Sequence, residues 1–229
     1  ELGDPVCQQL HASKIGMIPG VTKEKQMAEM LRLLHAAAAG GHGGASVKLA
    51  RAFLKQLPSP LPFDSVEAAR SYRKAIEVCA EPDAYYGLAQ MLLNGQLDPE
   101  AGPGASTEEL LREIVGYFEA GAIGGHEYSA YNLAVAHLYG FGLPRNPRVA
   151  MEWFLASKLP EGMHAASVGL EALGDFEEAV VLAEKALKMG FGKPWRVKAR
   201  QSTGSGGAGG VLLHSSWPKA GGVPYPPEW

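Results

Sequence analysis

The sequence predicts an all-α protein, an α-solenoid of antiparallel helix pairs with an extended C-terminal tail. Three observations predict it. Apolar residues recur at three- and four-residue spacing in one segment after another, which buries one face of each segment. Gly, Pro, Asn or Asp separates the segments. The segments also superpose: Leu49–Ala50, Leu88–Ala89 and Leu133–Ala134 hold the same place in three first helices, 39 and 45 residues apart, and Leu170 follows 37 residues on. In the second helices, Ala69–Tyr72–Ala75, Ile114–Tyr117–Ala120 and Ala150–Trp153–Ala156 share one spacing. A period near 40 built of paired helices is the signature of a solenoid. Alanine lets two helices approach closely, and the aromatic three residues later fills the groove between units.

Residues 1–21 form an N-terminal extension in which Asp4–Pro5 opens a short turn and Met17–Ile18–Pro19–Gly20 breaks it. The repeat domain spans residues 22–189. Thr22 is placed to cap a helix over Lys23–Ala39, whose Met27, Met30, Leu31, Leu34 and Ala38 share a face and which Gly40–Gly41 ends. A helix over Ala45–Leu57 follows, then a Pro-rich loop, then a helix from Asp64 to Ala80. Pro82–Asp83 opens the next, which runs to Asn94–Gly95. After the Gly/Pro-rich loop of residues 96–105, Ser106–Thr107–Glu108–Glu109 has the form of a capping box. Tyr131–Phe154 reads as helix, Gly/Pro loop and helix, and the last pair runs over Glu161–Leu173 and Asp175–Met189, joined at Gly174.

Composition narrows the function classes. The chain has 229 residues, 46% hydrophobic and 20% charged, with a formal net charge of −3, which is ordinary for a globular protein. It has no basic stripe of the kind that binds nucleic acid, and no run of 18 apolar residues that would argue for a membrane span. Cys7 and Cys79 lie far apart and are expected to be free thiols, buried or half-buried.

The candidates for chemistry are weak. His11, His35, His42, His126, His137, His164 and His214 contain no pair at the i, i+4 spacing of a helical metal face. His42 and His126 sit at equivalent inter-repeat positions and read as polar turn residues; His137 lies among apolar neighbours and reads as packing. Gly204–Gly210 lacks the lysine and the flanking strand and helix of a phosphate loop, so it reads as a linker. No serine stands in a nucleophile elbow. No catalytic residue, cofactor site or metal site is expected, and the chain reads as a non-enzyme.

The stretch Leu138–Tyr139–Gly140–Phe141–Gly142–Leu143–Pro144, followed by Asn146, Ala150, Trp153, Phe154 and Ala156, resembles a Sel1-like repeat, a relative of the TPR unit. The units at 42–80 and 82–121 are weaker copies, and Asp175–Ala186 looks more like a plain TPR helix. The resemblance implies Tyr139, Gly140, Gly142, Ala150, Trp153 and Ala156 as structural signature residues. It also implies an adaptor or scaffold whose partners are proteins.

Residues 190–229 differ in character: Pro and Gly interrupt Trp195, Trp217, Tyr225 and Trp229. Aromatics on a pre-extended chain suit docking, because little entropy is lost. These four are the expected partner anchors, with another subunit as the favoured surface and the chain's own solenoid as the second. Together these features predict a structural or accessory subunit of a larger protein complex, with no nucleic acid and no membrane span. The alternative is a soluble adaptor that holds a peptide in its concave groove. The Ala/Gly-rich composition and a start at Glu1 rather than Met lead to the expectation of an organelle, mitochondrion ahead of chloroplast, with the cytoplasm as the alternative.

Overall fold

A computed structural model describes residues 22–57, 60–98, 102 and 104–190. The described residues form nine α-helices and no strand. They are α1 (Lys23–Ala39), α2 (Gly43–Phe53), α3 (Ser65–Cys79), α4 (Pro82–Leu93), α5 (Thr107–Ile123), α6 (Glu127–Tyr139), α7 (Pro147–Ala156), α8 (Pro160–Leu173) and α9 (Phe176–Lys188). The chain divides into two compact units, residues 1–98 and 99–229.

In the first unit α1 packs on α2, α2 on α3 and α3 on α4. Leu31, Leu34 and Ala38 of α1 meet Ala45, Leu49 and Ala52 of α2 in one core. Small residues set the closeness of the next contacts: Ala68, Ala69 and Ala75 of α3 and Ala84 and Ala89 of α4 are all buried. Tyr72 lies among them, and Arg51 of α2 forms an ion pair of 2.8 Å with Asp83 of α4.

In the second unit α5 to α9 again pack each on its neighbour in sequence. The core joins Tyr131 and Ala134 of α6, Ala150, Met151 and Phe154 of α7, Ala166 and Leu170 of α8, and Ala179 and Leu182 of α9. Phe154 meets Tyr131 edge-on, with ring centroids 5.1 Å apart, a favoured geometry for two aromatic quadrupoles.

Five of the nine described helices start on a side-chain cap. Ser106 and Glu109 form the full capping box, with Glu109 N–H donating to Ser106 Oγ at 3.2 Å and Ser106 N–H to Glu109 Oε2 at 2.8 Å. Asp64 accepts from Glu67 N–H at 3.0 Å. Thr22 precedes α1 as expected, but its side chain makes no capping bond. The helix expected over Ala45–Leu57 instead starts at Gly43 and ends at Phe53. Lys55 turns left-handed there, with φ +58°, and stops it.

Candidate interaction surface

The turn between α6 and α7 shows how the sequence fixes one repeat. Gly140 ends α6 in the left-handed conformation, with φ +79°, which turns the next N–H back on the helix: Phe141 N–H donates to Ala136 O at 3.0 Å. Arg145 Nε donates to Leu138 O at 3.0 Å, and Asn146 N–H to His137 O at 2.7 Å, so these two end carbonyls of α6 are satisfied. Gly142, with φ +66°, lies against the backbone of α5: a Cβ there would come 2.6 Å from Leu111 C and O. Asn146 then caps α7 by accepting from Val149 N–H at 3.3 Å.

His42 and His126 play one role in two places. His42 Nδ1 accepts from Ala45 N–H at 3.3 Å at the start of α2, and His126 Nδ1 from Ser129 N–H at 3.1 Å at the start of α6. Each is a helix N-cap, which requires the lone pair of Nδ1. The sequence placed these histidines at turns without showing the cap. The available signal was a histidine three residues before a small buried residue, in both cases after glycine.

The titratable groups are tuned mainly by burial. Burial pushes the Tyr72, Tyr131 and Tyr139 hydroxyls up and holds His137 below the ordinary imidazole range, with Glu119 opposing the His137 shift. Nδ1 of His137 is buried without a hydrogen-bond partner. Cys79 corrects the expectation of a buried or half-buried thiol, because it is a free cysteine on an exposed residue. It closes a helix end, with Sγ 3.5 Å from Ala75 O and 3.6 Å from Glu81 Oε2. Among the described residues, no group of three or more His, Cys, Asp or Glu converges. No described helix is long and apolar enough to cross a membrane.

What the surface offers is apolar area. In the first unit Phe63, Val66 and Val78 are exposed. In the second, Ile123 and Tyr128 flank the α5–α6 corner at 74% and 51% exposure, and Phe176 and Val180 stand out from α9 at 63% and 55%.

The Sel1 repeat family model matches residues 82–101, 127–157 and 163–191. Those three segments of the chain are Sel1-like repeats. The second and third matched segments cover α6–α7 and α8–α9, and the first covers α4 and the loop after it. The fold is shared with a Sel1 repeat protein from Oxalobacter formigenes, at TM-score 0.61 and 21% identity over 80% of this chain and 71% of that one. A protective antigen of uropathogenic Escherichia coli with an SLR fold, c5321, aligns at TM-score 0.41 and 17% identity, over 91% of this chain and 58% of that one. No curated protein matches the sequence.

The Sel1 signature residues fall into place unevenly. Ala150 is fully buried, and Gly140 and Gly142 make the turn. Tyr139 is half-buried, with its ring 5.6 Å from that of Phe141. Trp153 is only half-buried, at the margin of the core, whereas Phe154 is 2% exposed at its centre. Ala156 is exposed, so close helix approach does not explain it. In α7 the three-residue spacing marks the right helix but sets the buried aromatic one position early, whereas in α3 it falls on the buried Tyr72. The tail anchors Trp195, Trp217, Tyr225 and Trp229 lie outside the described residues.

Proposed function

We propose that this protein, with its Sel1-like repeats, is a non-enzymatic structural or accessory subunit of a larger organellar protein complex, acting as a protein–protein interaction scaffold. One observation carries the reading. The signature residues of the repeat that have a role in the described structure, such as Ala150, Gly140 and Gly142, build helix packing and turns, while large apolar side chains such as Ile123 and Tyr128 remain outside. Exposed apolar area on a rigid helical frame suits a lasting protein contact. Trp217, Tyr225 and Trp229 of the tail supply further anchors of the residue types that dominate interfaces. The mitochondrion is the first address to test and the chloroplast the second, a step that rests on the Ala/Gly-rich composition.

The test is the size and stoichiometry of the native particle. Endogenous protein, fractionated from cells by organelle and then by size, should migrate in an organellar particle with fixed partners at constant ratio. Trp217→Ala with Trp229→Ala should reduce that incorporation and leave the helix content unchanged. A free monomer in native extract would overturn the subunit reading and favour a transient adaptor.

A further inference from the structure

The last helix carries an uncovered apolar stripe. Phe176, Val180, Ala183 and Leu187 follow four-, three- and four-residue steps, which places them on one line along α9. Phe176 and Val180 are exposed, and Ala183 and Leu187 are half-buried. This line is separate from the face that packs on α8, which is Ala179, Leu182 and Ala186. One position on, the bordering row is Glu177, Val181, Glu184 and Lys188, all exposed, so two acidic residues line most of the stripe and one basic residue stands at its C-terminal end.

The chain itself supplies a match. The residues that follow α9 almost at once, 191–200, are Phe-Gly-Lys-Pro-Trp-Arg-Val-Lys-Ala-Arg, with four basic residues and no acidic one. They lie outside the described residues. Five residues lead from Gly190 to Trp195, an extended reach of roughly 17 Å. The stripe from Leu187 back to Phe176 is about 16 Å long at the rise of an α-helix. A segment tethered at one end of such a stripe meets it at an effective concentration on the order of millimolar, so a weak contact suffices.

We propose that residues 191–200 of the same chain fold back along α9 and cover this stripe, with Trp195 seated over Val180 and Ala183. The basic side chains then run beside Glu177 and Glu184. Burial of the indole supplies most of the affinity, and the charges set direction, because exposed ion pairs add little. The contact would also fix where residues 201–229 leave the repeat. It does not depend on which partner, if any, those residues bind.

Trypsin tests this on the full chain, since Arg196 is a cleavage site within the segment. Cleavage after Arg196 should be at least about 10-fold slower than in a free peptide of residues 189–202, because cutting follows the undocked population. The double variant Phe176→Ser, Val180→Ser should be cut at the peptide's rate with unchanged helical circular dichroism. If that variant loses helix, Trp195→Ser decides from the other side, measured against a peptide with the same change, and should also lose protection. Wild-type cleavage at the peptide's rate overturns the proposal, as does protection that survives Trp195→Ser. Protection that grows with protein concentration overturns it too, because the cover would then come from a second copy.

Discussion

The ring of Tyr72 occupies the space that a side chain on Gly87 would need: a Cβ there would come 2.3 Å from Cζ and 2.5 Å from Cε1. Helices α3 and α4 therefore meet through an aromatic ring laid on bare backbone. Tyr72 is fully buried, with Ala84 and Leu88 of α4 buried beside Gly87, so the ring has little room to move.

Gly87→Ala sets two effects against each other. Alanine favours a helix interior by about 1 kcal/mol, whereas forcing extra volume into a packed core costs about 1–3 kcal/mol. Three ring atoms would lie under 3 Å from the new methyl group, so the steric term should win. Urea denaturation should show a lower midpoint at unchanged slope; a variant as stable as the parent would mean that the ring swings aside freely.

Gly142→Ala and Gly125→Ala separate backbone strain from close approach. Both glycines are left-handed, with φ +66° and φ +88°, and alanine there costs roughly 1–2 kcal/mol. Gly125 has open space around it, but a Cβ on Gly142 would strike the Leu111 backbone, which cannot rotate away. Gly142→Ala should therefore be more destabilising than Gly125→Ala by at least about 1 kcal/mol, read as the difference between their thermal midpoints. Equal losses would show that only φ matters.

His126 tests the cap. His126→Ala removes the acceptor of the Ser129 N–H and should cost about 0.5–2 kcal/mol, whereas His126→Asn, whose side chain is a preferred cap, should restore most of it. Amide exchange in the first turn of α6 would report the loss locally. No difference between the two variants would remove the capping role.

Phe154 and Trp153 reverse the order that the sequence suggests. Phe154→Ala should cost about 3–5 kcal/mol, as large aromatics at the centre of a core do, and Trp153→Ala clearly less, because Trp153 packs only at the margin of the core. Denaturant midpoints of the two variants decide it; a larger loss for Trp153→Ala would sink the assignment.

That reversal shows what could be read without coordinates. Ser106 with Glu109, and Asp64, announced their helices because their side chains bond locally, within one turn of their own position. Which neighbour of an aromatic pair is central depends on how the next helix lies, and a period of 3.6 residues cannot distinguish adjacent positions. The apolar stripe of α9 was hidden for a related reason. In sequence, Phe176, Val180, Ala183 and Leu187 merge with Ala179, Leu182 and Ala186 into one broad face, and only the packing of α8 divides it. The histidine caps escaped because histidine is not among the usual capping residues, although the match of Gly41–His42 with Gly125–His126 had placed both.

His137 gives the chain a pH dependence whose sign can be worked out. Burial holds its folded pKa below the ordinary value of 6.5, and Glu119, which opposes the shift, is the weaker influence. The unfolded chain then binds more protons than the folded one as pH falls through 6.5, so stability declines with acidity over that window. The contribution is fully present above 6.5 and is lost as pH drops through the lower, folded value. The buried Nδ1 without a partner fits this sign, since protonation would leave an N–H there with no hydrogen-bond acceptor and a charge that burial penalises more than Glu119 favours it. His137→Gln keeps a polar side chain and cannot titrate. Its denaturation midpoint should fall less than that of the parent between pH 7 and pH 5. Equal declines in both proteins would assign the acid sensitivity elsewhere, and a steeper decline in the variant would reverse the sign.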